Sequence, residues 1–518
     1  MIITRKGIVK FILKKNGRIF MGKKTKKHVE KRLPKFWEAM IPLIALVVLL
    51  VYGKGVKNYS VEALLIIAAV IAAIIGRRTG HTWEEMEQEI GNKIKSAFGA
   101  IMILLAVGMI IGSWILSGCI PMMIYYGVKI INPHMLLTTA FIVCAVISVV
   151  TGTSWGSVGT MGVAIMGIAG ALGVSLPVAA GAVLSGAYFG DKISPLSDTT
   201  NLAPMVSGCT LYEHIKHQMW TIVPPTVICL VAYTILGMSG KVSNAVNAEG
   251  VDIMMGQLDT LFNFNILLLL PAVIVLGGSL MRLPTTPIMV VSVAVASVES
   301  MIFQHAALGD VLSAMINGFN LDLLHVPGFD MAAIVPEINT LLVRGGLSSM
   351  MSTIQLLMVA LTFAGMLVAS GCTEVLLNKL LLCVKSTGGL IASTLFATAG
   401  LAFTVGATYL TIILPGELFR DVYKKRGLAP ENLSRSLEDA GTVIMPLVPW
   451  STSGVFMSST LGVSVMAYLP WAFLCYLCIV FALIYGFTGI GIKRLSPGEM
   501  EDQTEAKVDV VQAVPKEA

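Results

Sequence analysis

Fourteen apolar runs, seven before residue 240 and seven after 262, constrain this chain more than any other feature. The first set lies near 38–54, 60–76, 97–120, 134–151, 160–173, 175–190 and 218–238. The second lies near 263–281, 284–302, 349–370, 387–405, 408–419, 431–446 and 466–490. A helix needs about 20 residues to cross a bilayer, and several runs are shorter and broken by Gly, Pro, Ser and Thr, so about 11–14 membrane segments are expected. Only 13% of residues are charged and 55% are hydrophobic, against about 25% and 45–50% in soluble chains. That balance excludes a soluble enzyme, a disordered chain and a fibrous protein.

The net charge of +6 conceals two regimes. Thirteen of the 36 Lys and Arg residues fall in residues 1–35 with a single acid, Glu30, and the remainder is net acidic. A basic stretch directly before an apolar run reads as positive-inside sorting or a juxtamembrane lipid contact rather than a nucleic-acid site. It is too long for a signal peptide. Ile8, Phe11, Ile12 and Ile19 suggest an interfacial apolar stripe over residues 8–20, and Met21 is an alternative start. Of eight cysteines, most lie in or beside apolar runs. Cys475-x-x-Cys478 has no second pair and sits inside a spanning stretch, so helix packing is expected of it.

The halves repeat. Gly112, Ser117, Gly118 and Cys119 match Gly365, Ser370, Gly371 and Cys372, and Gly152-Thr-Ser-Trp155 matches Gly406-Ala-Thr-Tyr409. The register persists through Gly173/Gly427, Pro195/Pro449 and Ser197/Ser451. Loop charge orients the halves. Arg77, Arg78, Lys93 and Lys95 follow the second run, whereas 303–348 holds only Arg344 against Asp310, Asp322, Asp330 and Glu337. Opposite bias in equivalent loops implies opposite membrane sides. The expected fold is therefore an all-α polytopic membrane protein of two inverted-topology repeats with discontinuous helices. Residues 1–36 form a basic cytoplasmic extension, 37–240 the first transmembrane repeat and 241–262 a linker loop. Residues 263–492 form the second repeat and 493–518 a polar cytoplasmic tail.

Two matched stretches carry polar residues that lipid does not tolerate idly. One is Thr151–Thr160, resuming at Gly190–Asn201; the other is Gly406–Thr411, resuming at Leu437–Gly441 and Pro449–Gly454. Irregular backbone at membrane depth persists only where it is buried in protein or lines a cavity. Freed carbonyls with Ser, Thr, Asn and Asp oxygens suit a hard cation, and no His or Cys is present there for a soft metal. A buried carboxylate needs a proton, a counter-charge or a cation. Asp191, Asp198 and Asp439 are thus the leading candidates, with Glu438 beside them. Two plainer readings stand alongside: an Asp191–Lys192 pair with Asp198 capping a helix that starts at Thr199, and Glu438 paired with Arg435. Ser154, Thr199, Thr200, Asn201, Thr408, Ser451 and Thr452 are the candidate neutral oxygens. A hard-cation site is expected at Asp198, Asp439, Asn201 and Ser154. Trp155 and Tyr409 occupy equivalent positions and are expected to pack beside a broken helix; Glu299 and Glu374 read as boundary residues.

Gly152–Gly162 and Gly186–Pro204 resemble the NhaC-type sodium/proton antiporters, as do Thr408-Tyr409, Glu438–Gly441 and Pro449–Ser453. The resemblance spans roughly residues 36–490. It implies a bacterial inner-membrane secondary transporter with both termini cytoplasmic, exchanging sodium for protons by alternating access. Relatives that exchange malate and lactate with sodium and protons make an organic-anion antiporter the alternative. Sodium, protons and the bilayer are the implied partners, with no cofactor and no nucleic acid; a homo-oligomer stays open. An enzyme is not expected: there is no H-E-x-x-H and no G-x-x-x-x-G-K-[ST] loop.

Overall fold

A backbone in hydrocarbon finds no water to bond, so each segment must satisfy its own N–H and C=O groups as helix. That requirement is met almost throughout the computed structural model, which describes residues 11–15, 18–22, 31–57, 59–239, 248–281, 283–326, 334–382 and 386–495. The chain is an all-α polytopic membrane protein. The first half comprises α1 (Phe36–Val48), α2 (Val61–Arg78), α3 (Trp83–Ser117), α4 (Cys119–Ile130), α5 (Leu136–Thr151), α6 (Ser154–Ser157), α7 (Val163–Ala171), α8 (Leu176–Ile193), α9 (Asp198–Ser207) and α10 (Leu211–Met238). The second begins with α11 (Ala248–Leu261), α12 (Leu270–Leu280), α13 (Thr285–Phe303), α14 (Leu308–Asn317), α15 (Pro336–Leu342), α16 (Met351–Ala369) and α17 (Cys372–Leu382). It ends with α18 (Thr387–Val405), α19 (Thr408–Lys425), α20 (Pro430–Gly441), α21 (Thr452–Leu461), α22 (Val465–Tyr468) and α23 (Phe473–Thr488).

Among the described residues, seven helices are long and apolar enough to cross a membrane, or nine if each of two sharply bent pairs counts as one span. The count falls below 11–14 because the remaining apolar runs are charged, short or divided: α2 carries Glu62, Arg77 and Arg78, and α4 and α23 are 12 and 16 residues long. The run at 160–173 begins inside a π-helical turn, Val158–Gly162, and α8 breaks from α9 at Ser194–Ser197. Lipid is the solvent for the outer surface. Along α10, Val223, Val227, Val231 and Ile235 recur every four residues and are 42–61% exposed, an apolar stripe that water would penalise and acyl chains accept.

The repeat is visible in the backbone. Gly118 and Gly371, Gly152 and Gly406, Gly173 and Gly427, and Gly208 and Gly462 all take positive φ, each pair 253 or 254 residues apart. α9 and α21 are both ten residues long, both capped by a serine (Ser197, Ser451) and both ended by one of these glycines.

Two sequence expectations change. Residues 11–15 pair with 18–22 as an antiparallel ribbon, β1 (Phe11–Lys15) and β2 (Arg18–Gly22), where an interfacial stripe over 8–20 was expected. The segment 241–262 is not a simple linker loop: α11 fills 248–261. Met254, Met255, Leu258 and Leu261 recur at helical spacing there and are buried. Residues 1–10, 240–247, Cys383 and the tail beyond 495 lie outside the described residues.

Candidate functional site

The site forms where broken helices end against one another. α5 stops at Gly152 (φ +73°), which swings the chain so that Thr153 can cap α6 by accepting from the Gly156 amide. A Cβ at Gly152 would lie 2.5 Å from Leu196, so the tip also needs glycine for closeness. The matching tip at Gly406 (φ +66°) offers its carbonyl to the Thr452 amide at 2.9 Å and the Thr452 hydroxyl at 3.2 Å. Each tip meets the break of its own repeat: Gly152 lies against Leu196 between α8 and α9, and Gly406 against Trp450 and Ser451 just before α21.

At the end of α8, neighbouring residues diverge by about 100° around the helix, and Asp191 and Lys192 consequently face different partners. Asp191 accepts from the Ser154 hydroxyl at 2.6 Å. Lys192, fully buried, pairs instead with Asp439 of α20, also fully buried. The expected Asp191–Lys192 pair is therefore replaced by an ion pair across the two repeats. Gln218 of α10 donates to the same Asp439 oxygen at 3.3 Å. Glu438 does not pair with Arg435, whose Nη1 donates to the Gly491 carbonyl at 3.1 Å; it accepts from the Thr199 hydroxyl at 3.2 Å. Ser197, not Asp198, caps α9; Asp198 is the first helical residue, accepting from its neighbour's amide at 2.9 Å and from the Tyr409 hydroxyl. Asp191 lies within electrostatic reach of both Asp198 and Glu438.

A cavity of about 290 Å³ opens at this junction. Ser154, Asp191, Asp198, Thr199, Thr408 and Thr452 line it, together with Tyr409 and Ser453, and no Lys, Arg or His is among its lining residues. Five expected ligands lie elsewhere, Glu438 among them, bonded to Thr199. Asp439 stands behind the wall, held by Lys192. The Thr200 hydroxyl donates to the Asp191 carbonyl at 2.8 Å, tying α9 to α8. Asn201 is exposed, its side-chain amide given to the Pro195 carbonyl in the helix break and to the Ser197 carbonyl, which also accepts from the Asn201 backbone N–H. Ser451 is consumed as a cap, accepting from the Gly454 amide and donating to the Met445 carbonyl. Asp198 and Ser154 thus share the cavity, whereas Asp439 and Asn201, expected in the same sodium site, do not reach it. Among the described residues, no three His, Cys, Asp or Glu side chains are grouped as a metal site.

Residues 186–490 match the Na+/H+ antiporter family. The chain belongs to that family. It is 42% identical over 464 residues, covering 90% of this chain and 98% of the relative, to an uncharacterized Na(+)/H(+) antiporter of Haemophilus influenzae. It is 39% identical to the Na(+)/H(+) antiporter NhaC of Alkalihalophilus pseudofirmus, covering 83% of this chain and 90% of the relative. It is also 34% identical to the malate-2H(+)/Na(+)-lactate antiporter of Bacillus subtilis, covering 88% and 96%.

Two side chains of this family member escape a reading of its sequence as site residues. Trp155 does pack, stacking on Phe456 with centroids 4.1 Å apart, but its counterpart Tyr409 reaches the Asp198 carboxylate. The equivalence of the two positions concealed their different uses. Gln218 sits at the edge of an apolar run, four residues after His214; a glutamine at that depth was the only signal.

Proposed function

We propose that this chain exchanges sodium ions for protons across the bacterial inner membrane by alternating access, with both termini cytoplasmic and its two repeats inverted. One observation carries the reading. Four carboxylates, Asp191, Asp198, Glu438 and Asp439, gather at the junction of the broken helices, and among the described residues only Asp439 is paired with an ammonium, that of Lys192. Their fully ionised state leaves uncompensated negative charge at membrane depth, and hydrocarbon strongly opposes that. The site therefore takes up a cation or protons. Asp191 and Asp198 supply the charge for sodium in the cavity, with Ser154, Thr199, Thr408 and Thr452 as neutral oxygens. Buried Asp191 Oδ1, Glu438 Oε2 and Asp439 Oδ2 have no hydrogen-bond partner among the described residues; each is a place for a proton. Coupling follows when sodium and proton exclude one another and the empty, ionised site does not reorient.

An organic anion as cargo is disfavoured by the same geometry. The cavity lining offers a carboxylate substrate no cationic side chain, only helix N-termini beside two acids, and Lys192 is already engaged. The relatives' names add support for sodium and protons. In proteoliposomes, a sodium gradient alone is expected to drive proton movement reported by a pH-sensitive dye, and labelled malate or lactate is not accumulated. Organic-acid uptake with no proton movement in its absence overturns the proposal.

A further inference from the structure

The two repeats place equivalent helices in equivalent seams, yet they fill them with opposite chemistry. In the second repeat α20 packs on the start of α10, and in the first α8 packs on the segment from α22 to α23. At the repeat offset of 254, α20 residues Glu431, Arg435, Glu438 and Asp439 correspond to Pro177, Gly181, Leu184 and Ser185 of α8. On the facing strip, His214, His217, Gln218 and Thr221 correspond to Tyr468, Trp471, Ala472 and Cys475.

The first-repeat seam is closed. Gly181 lies so near Trp471 that a Cβ there would come within 2.5 Å of its backbone carbon. Ser185 is bonded to the Tyr233 hydroxyl at 2.8 Å, and Tyr468 donates to the Pro446 carbonyl at 2.5 Å. The second-repeat seam is polar along its whole length. Lys493 donates to Glu431 at 2.5 Å, His217 Nε2 to Asn432 Oδ1 at 3.2 Å, and the Ser434 hydroxyl meets His214 Nδ1 at 2.7 Å. Gln218 and Lys192 then close on Asp439. Along this file His214 Nε2, Gln218 Oε1, Glu431 Oε2, Arg435 Nε and Nη2 and Asp439 Oδ2 are buried with no partner among the described residues. Native proteins bond nearly all buried polar atoms, and where protein supplies no partner, water does. The seam's outer end meets a separate cavity of about 490 Å³ lined by Glu213, Lys216, His217, Glu431 and Lys493.

We propose that the α10/α20 seam is a hydrated proton path, about 12 Å long from Glu431 to Asp439 at 1.5 Å per residue, joining that second cavity to the buried Lys192–Asp439 pair. This rests on the sodium/proton reading and adds a separate door for the proton. A sodium ion does not follow it, because an alkali cation needs several oxygens at once to replace its hydration. The middle of the seam offers imidazole and guanidinium nitrogens instead. A proton passes by relay: an imidazole accepts it at one ring nitrogen and releases one from the other, with water between His214 and Asp439. The proton count is unchanged at each hop, and Asp439 gains the proton that the cavity loses.

Two measurements test this. On the unmodified chain, X-ray radiolytic footprinting oxidises side chains that touch bound water even when they are buried. His214 is expected to react at least fivefold faster than its counterpart Tyr468, which is equally inaccessible; equal or slower reaction overturns the path. In proteoliposomes, His214→Leu is expected to lower sodium-driven proton movement at least tenfold while labelled sodium-for-sodium exchange stays within twofold of the parent. A parallel fall in both, or no fall in proton movement, also overturns it. Failure of the sodium/proton reading looks different: the parent itself then exchanges neither sodium for proton nor sodium for sodium.

Discussion

Lys192 and Asp439 are each wholly out of solvent and come from different repeats. Removing one partner of such a pair strands the other charge, which typically costs about 3–5 kcal/mol. Lys192→Met is therefore expected to lower stability by about that amount in a detergent thermal melt. Adding Asp439→Leu should recover most of the loss, because a matched apolar pair is often as stable as a buried ionic one. Transport should not return in the double variant, since the pair's value lies in its charge. Asp191 makes a contrasting case. Asp191→Asn retains an acceptor for Ser154 at nearly the same volume, so the melt should shift little while sodium-driven proton movement in everted vesicles disappears. Retention of exchange in that variant removes Asp191 from the coupling site. Both acids were legible in the sequence because a carboxylate in an apolar run demands compensation. Their partners were not: spacing along one helix suggests Asp191–Lys192 and Arg435–Glu438, whereas the real pairings cross between helices that only the fold brings together.

At the scale of elements, the helix breaks depend on glycine to different degrees. Gly152 has both a positive φ and Leu196 within 2.5 Å of a would-be Cβ, whereas Gly462 has φ +70° with nothing within 4 Å. Gly462→Ala should incur only the left-handed penalty, about 1–2 kcal/mol. Gly152→Ala must also push α6 off the α8–α9 break, carrying Ser154 away from Asp191. It should both destabilise the protein more and depress exchange at least tenfold, whereas Gly462→Ala should leave exchange within a few fold. Comparable exchange in the two variants would show that the first tip does not position the site. The existence of these breaks could be read from Gly, Ser and Thr inside apolar runs. Which hydroxyls remain for a ligand could not, because Ser451 and Asn201 are used by the backbone groups the breaks set free. α11 was missed for a related reason: it is a short amphipathic helix flanked by polar residues, so its mean composition resembles a loop although its period is helical.

For the whole molecule, the paired positive-φ glycines establish a repeat but not the sense in which the halves face the membrane. Loop charge argues for an inverted sense. Arg77, Arg78, Lys93 and Lys95 flank the α2–α3 connection, and the corresponding stretch around α14 carries Asp310 and Asp322 instead. Cytoplasmic loops collect Lys and Arg because translocating them against the membrane potential is unfavourable, so equivalent loops of opposite bias belong on opposite sides. Glu87 and Gly309 are both exposed and lie near the starts of α3 and α14, beside these two connections. In a background lacking Cys209 and Cys383, Glu87→Cys and Gly309→Cys should react with a membrane-impermeant maleimide from opposite faces, the first only in everted vesicles and the second only in right-side-out ones. Labelling of both from one face would leave the repeat standing but make it parallel, and alternating access would then have to arise from something other than exchange between two mirrored halves.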